Sequence, residues 1–219
     1  ITFDDGYKNI LTNALPLLKK RDWPFTIFVS TKFVGISKSY LSWADLYYLE
    51  QNGATIGNHT HSHAHLVRRD DNEVEEEWLA RVESEIITAK EILHTRGHNS
   101  RVFAYPYGEY NKEVRDIIRK LGMIGFGQQS GAIGPDSDPL ILPRFPLAGA
   151  YTGIEALKDK LGRFAMPLET RYQPPLITEN LSPTLLLEFT DPSIRVENVN
   201  CFGPGGIMKV SKTSNTEIL

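Results

Sequence analysis

Short apolar runs alternate with amphipathic stretches as far as Phe126, and this order constrains the fold more than any other feature of the chain. Ile1–Phe3, Phe25–Val29, Ala54–Ile56, Val102–Tyr105 and Met123–Phe126 read as strands, the second rich in β-branched and aromatic side chains. Between them, Lys8–Lys20 carries Leu11, Leu15 and Leu18 at helical spacing, with Pro16 marking a kink or break. Ser42 is placed to cap a helix running to Asn52, and Gly53 stands where a left-handed C-terminal cap belongs. A long helix starts at Asp71 or Asn72 and runs to Thr95, with Val74, Trp78, Val82, Ile86, Ala89 and Leu93 as its apolar stripe. Asn111 caps a fourth helix, Lys112–Leu121, which Gly122 ends. This alternation of short apolar strands with amphipathic helices predicts a parallel α/β architecture.

The pattern changes after Pro146. Thr152 and Glu155 suggest a capping box for a helix to Leu161, and Pro174-Pro175 is a rigid break. Three strand-like runs follow without helices: Leu185–Phe189, Ile194–Phe202 and Ile207–Val210. We therefore expect an α/β domain over residues 1–165 and a β-rich extension or truncated module over 176–219. A tail that small buries little core by itself.

Composition removes several classes of function. A net charge of -3 leaves no basic footprint for nucleic acid. No apolar run reaches the roughly 18 residues of a membrane span. The single Cys201 excludes an internal disulfide and a thiolate-rich metal cage. Ile1 already reads as strand, without an initiating Met or leader, so the chain is expected to be a piece of a longer protein.

Three strands end in polar or turn-forming clusters: Asp4-Asp5-Gly6, Asn58-His59, and Tyr105-Pro106-Tyr107-Gly108. In a parallel barrel these ends share one rim, where function gathers. Four of six histidines fall between His59 and His65, and both His59/His63 and His61/His65 have the spacing to share a metal on a helical turn. His59 leaves its strand directly, which selects His59/His63, while the distant His94/His98 pair is expected at the surface. One carboxylate and two imidazoles make a three-ligand set with a position left open. Of two adjacent aspartates in a turn, one can bind metal while the other serves as general base.

Thr2-Phe3-Asp4-Asp5-Gly6, Gly57-Asn58-His59-Thr60-His61-Ser62-His63 and Phe103-Ala104-Tyr105-Pro106-Tyr107-Gly108 resemble the first three motifs of the polysaccharide deacetylases, carbohydrate esterase family 4. The resemblance covers about residues 1–147, and its third motif is nearest to deacetylases of poly-β-1,6-N-acetylglucosamine. It implies a distorted (β/α) barrel and hydrolysis of N-acetyl groups on a polysaccharide such as chitin, peptidoglycan or a biofilm polymer. It also implies action in the envelope, the periplasm or outside the cell. By the same resemblance Asp4 is the catalytic base, while Asp5, His59 and His63 bind a divalent metal, Zn2+ first with Co2+ or Ni2+ as alternatives. The Tyr107 backbone N–H would help hold the oxyanion.

Two departures stand out. The arginine that many relatives place in the third motif is Ala104 here, and Arg144 is the candidate substitute, ahead of Arg101. The late Leu-x-His motif that supplies the general acid is missing, since no histidine follows His98. His61, His65 or a part of the protein beyond this chain are the candidates for it. Tyr105, Tyr107 and Tyr110 are candidate platforms for sugar rings, whereas Trp78 belongs to a helix stripe. A sugar-binding relative that kept the pocket without the acid, and a deacylase of small amides, are the competing readings.

Overall fold

The computed structural model describes residues 1–169, 186–203 and 206–218. Five parallel strands form one sheet in sequence order: β1 (Thr2–Phe3), β2 (Phe25–Val29), β3 (Ala54–Asn58), β4 (Val102–Ala104) and β5 (Ile124–Phe126). Crossovers that always step to the next position wind the sheet one way, giving the (β/α) barrel architecture in distorted form. The connecting helices are α1 (Leu15–Lys19), α2 (Trp43–Glu50), α3 (Glu75–Thr95) and α4 (Lys112–Lys120). Ile27, Val29 and Ile56 pack with Leu15 and Leu18 of α1 and Leu46 and Leu49 of α2, and Phe103 packs with Trp78, Val82, Ile86 and Ile118 of α3 and α4 in a second cluster.

Local chemistry sets the element ends. Ser42 and Asp45 form a reciprocal capping box at the start of α2, and the Asn111 side chain accepts from the Val114 N–H at the start of α4. The expected break near Pro16 comes one turn earlier: Ile10–Ala14 is a π-helical turn that passes into α1, with Pro16 in the first turn where its missing N–H costs nothing. The long helix begins later than its stripe suggested. Asn72 is left-handed, the Glu73 N–H closes a turn on the Asp70 carbonyl, and Val74 becomes an exposed N-cap rather than core.

The chain divides into two compact units, Ile1–Gln128 with Pro139–Ile141, and Gln129–Asp138 with Leu142–Leu219. The second holds α5 (Ile154–Leu161), an antiparallel pair of β6 (Leu187–Glu188) with β9 (Glu217–Ile218), and a hairpin of β7 (Cys201–Gly203) with β8 (Gly206–Met208). Phe189, Val196 and Ile218 make its small core. Thr152 is not the expected cap: its hydroxyl donates back to the Gly149 carbonyl, and Gly153 takes the N-cap position. Residues 194–200 are not strand, because a 3-10 turn at Val196–Asn198 interrupts them. Pro174-Pro175 lies outside the described residues.

Candidate metal centre

Strands β2 and β3 pair from Phe25 with Ala54 to Val29 with Asn58, so their C-terminal ends finish level. Gly57 makes this pairing close: a Cβ there would meet the Phe28 ring at 2.6 Å and Val102 at 2.9 Å. Just beyond, Asp5, His59 and His63 each bring one ligand atom into a group no more than 4.8 Å across. Asp5 Oδ1 lies 3.5 Å from His59 Nε2 and 3.2 Å from His63 Nε2.

The two histidines do not meet through a helical turn. The chain from Thr60 to His63 is a loop in which both of these residues have positive φ, 66° and 59°, and Asp5 is left-handed as well at 70°. Such conformations are costly for side chains with a Cβ and need support. Asn58, buried at 2% exposure, provides it: its Oδ1 accepts the Thr60 N–H at 2.8 Å and its Nδ2 donates to the Ile86 carbonyl of α3. The Thr60 hydroxyl accepts the His63 N–H at 3.0 Å. Glu85 of α3 takes both the N–H and the hydroxyl of Ser62, each at 2.8 Å, and its carbonyl accepts the His61 N–H.

His59 is almost fully buried, and its Nδ1 is 2.8 Å from the Ala104 carbonyl. A carbonyl only accepts, so Nδ1 carries a proton, and Nε2 is the ring atom turned toward the Asp5 carboxylate. A shared cation, a proton or a metal ion, suits Asp5 Oδ1 and Nε2 at that separation. The Asp5 carboxyl is held well below the usual carboxylate range by hydrogen bonds from the His59 and His63 side chains, against the opposing effect of its burial. An ionised oxygen and two imidazole nitrogens are a donor set that suits Zn2+ or a similar divalent ion.

Asp4, half-buried, occupies the same β1 turn as Asp5. Tyr107 sits in a 3-10 turn after β4 with φ 59°, and no acceptor for its N–H is found among the described residues. Gly108, also left-handed at 69°, follows it, and a Cβ there would meet Gln128 at 2.6 Å. Arg144 falls in the second unit, where its N–H donates to the Gln129 carbonyl. Arg101 instead closes on the Gly122 carbonyl near the start of β4.

Two sequence expectations are corrected. Tyr105 and Tyr110 are core residues, the former donating its hydroxyl to the Leu140 carbonyl, so neither presents a face to sugar. His98 is buried rather than at the surface: left-handed Gly97 turns the chain so that His98 tucks in beside Glu50, Nδ1 to Oε2 3.0 Å, with Trp43 stacked on it. The His61 side chain is tied down as well, its Nδ1 2.9 Å from the Thr31 hydroxyl. Two groups escaped sequence reading. A cleft of about 250 Å3 is lined by Asp5, Ser62, His63 and Tyr107 and by an aromatic wall of Tyr7, Tyr40 and Phe33, whose rings stack at 5.2 and 5.6 Å. His65 lies flat on Tyr107 and bonds Glu109. Tyr7 directly follows the Asp5-Gly6 turn, the one hint available; Phe33, Tyr40 and Glu109 join through tertiary contacts.

A parallel α/β fold with an aspartate and two histidines at its strand ends defines the class. The sequence profile of the polysaccharide deacetylase family matches residues 1–125, more than half of the chain, and the chain belongs to that family. YxkH of Bacillus subtilis (strain 168) is 30% identical over 155 residues, covering 70% of this chain and 52% of that protein. Poly-beta-1,6-N-acetyl-D-glucosamine N-deacetylase of Staphylococcus aureus (strain MRSA252) is 28% identical over 151 residues, 66% of this chain and 52% of that one. The chain thus spans about half the length of these curated relatives. Among solved structures, Streptococcus pyogenes deacetylase PplD in complex with acetate matches with a TM-score of 0.59 at 26% identity, over 65% of this chain and 61% of that one. IcaB from Ammonifex degensii matches in fold, TM-score 0.63 at 24% identity, over 73% and 71%.

Proposed function

We propose that this chain is the catalytic part of a metal-dependent N-deacetylase that acts on N-acetylglucosamine units of a polysaccharide outside the cytoplasm. The observation that carries the reading is the convergence of Asp5, His59 and His63 beside an open cleft with an aromatic wall. The Staphylococcus aureus relative's name supports poly-β-1,6-N-acetylglucosamine as the first polymer to try, with peptidoglycan and chitin next. A divalent cation held by Asp5, His59 and His63 would act as a Lewis acid on the acetamide carbonyl and lower the pKa of the attacking water.

The chain's own residues divide the remaining work. Asp4 removes a proton from that water as it attacks the carbonyl carbon. Collapse of the tetrahedral adduct breaks the C–N bond, freeing acetate and an amine that takes up a proton from the general acid, for which His61 and His65 are this chain's candidates. The Tyr107 N–H, without another acceptor among the described residues, donates to the oxygen as negative charge develops there. Tyr7 and its stacked neighbours offer apolar faces to the sugar rings. Arg144 is proposed to orient Asp4 in place of the arginine that Ala104 replaces. Arg144→Ala should then lower turnover several times more than it lowers metal affinity, and an unchanged rate would remove that role.

Acetate release from N-acetylglucosamine oligomers, measured with added Zn2+ and again with chelator, tests the whole reading. Release that chelator abolishes and Zn2+ restores is the expected result. The absence of any histidine after His98 favours a second reading, a sugar-binding relative without a general acid. Zinc-loaded protein that binds the oligomers yet frees no acetate would establish it instead.

A further inference from the structure

The side chain of Tyr107 has little core to hold it, being 46% exposed, yet its backbone keeps a left-handed conformation that a residue with a Cβ ordinarily leaves. What covers it is a second aromatic ring. The His65 imidazole lies parallel to the Tyr107 ring, centroids 3.8 Å apart and planes 11° apart, while the His63 ring meets Tyr107 edge-on at 4.5 Å. His65 is fastened in turn. Its Nδ1 is 2.9 Å from Glu109 Oε2, and the other oxygen of Glu109 accepts from Arg68 at 2.9 Å.

Glu109 is two residues beyond Tyr107, and its N–H donates to the Pro106 carbonyl as the turn closes. One short turn therefore supplies both the strained residue and the carboxylate that fixes the ring laid over it. The contact also joins two separate loops, one after β3 and one after β4.

We infer that His65 and Glu109 form a clamp that positions Tyr107, holding its main-chain N–H in the orientation an oxyanion donor needs. The reason for the clamp rests on the acetamide-hydrolysis reading above. Its existence rests on the ring stack and the Glu109 contact. Neither residue is required to touch substrate or metal. Preorganisation of this kind matters because a donor displaced by about 1 Å can lose ~100-fold in rate.

The test is 15N relaxation of the Tyr107 amide in the zinc-loaded full chain and its variants. We expect an order parameter of about 0.85, typical of rigid backbone, in the parent and in His65→Phe, which keeps a flat ring. His65→Ala should fall below about 0.6, the range of flexible backbone. A rigid Tyr107 in His65→Ala, or a mobile one in His65→Phe, would overturn the clamp. Zinc affinity should stay within about twofold across the series; a parallel loss would mean that His63 is the residue being held. On an N-acetylglucosamine oligomer, His65→Ala should lower kcat by ~10–100-fold with little change in KM, and His65→Phe should recover most of it. Parent protein that frees no acetate would count against the proposed function alone, because the order parameters judge the clamp without turnover.

Discussion

Asp5→Ala is expected to lose the metal and the activity together. Asp5 Oδ1 is the atom toward which both His59 Nε2 and His63 Nε2 point, and it is the only anionic member of that donor group. Removing it leaves two neutral imidazoles and no counter-charge for a divalent ion. Zinc affinity should fall by more than about 100-fold, beyond the 10–100-fold typical of removing a group that only orients a ligand. Calorimetric titration of metal-stripped protein measures this directly, and acetate release should follow the occupancy. Retained zinc affinity would mean that the three residues meet for another reason. Because a φ of 70° suits Asp better than Ala, the folding of the variant is checked by circular dichroism before the titration is read.

Asp4→Asn should separate what Asp5→Ala confounds. Asparagine keeps the shape of the side chain but cannot accept a proton at neutral pH. With Asp4 as general base, kcat should drop by ~10²–10⁴-fold, the usual contribution of such a group. Zinc affinity should change by no more than a few-fold, because Asp4 is outside the donor group. The two adjacent substitutions thus predict opposite patterns: metal and rate lost together at Asp5, rate alone at Asp4. If Asp4→Asn also emptied the site, the division of labour within the turn would be wrong.

The strands, their parallel order and the selection of His59 and His63 were legible because each depends on short-range pattern. Strand runs bounded by polar turns reveal where a barrel rim is, and Asn58-His59 falls on it. What the sequence hid was set by long-range packing. Tyr105, Tyr107 and Tyr110 fall within six positions, yet the core against α3 and α4 buries Tyr105 and Tyr110 and leaves only Tyr107 of the three exposed. Val74 has the right spacing for the α3 stripe, but the turn at Asp70–Glu73 ends before the helix can include it. His98 looked like a surface residue because its partner, Glu50, stands 48 positions earlier in the chain. The aromatic wall was hidden for the same reason: Phe33 and Tyr40 reach the cleft because the Leu41 N–H is tied to the Gly6 carbonyl and the Lys8 N–H to the Ser39 carbonyl.

The fastening of the histidine loop to α3 has a thermodynamic consequence. Asn58 and Glu85 connect the ligand loop to a helix of 21 residues through Ile86, Ser62 and His61. The loop cannot keep its shape if that helix undocks, so ion binding and helix docking are linked equilibria. An ion present at 100 times its Kd would favour the docked state by about 2.7 kcal/mol, a sizeable share of the stability of an ordinary domain. A metal held by Asp5, His59 and His63 would thereby stabilise the fold as well as serve the proposed reaction, and the availability of the ion would set how much of the chain stands ready to work.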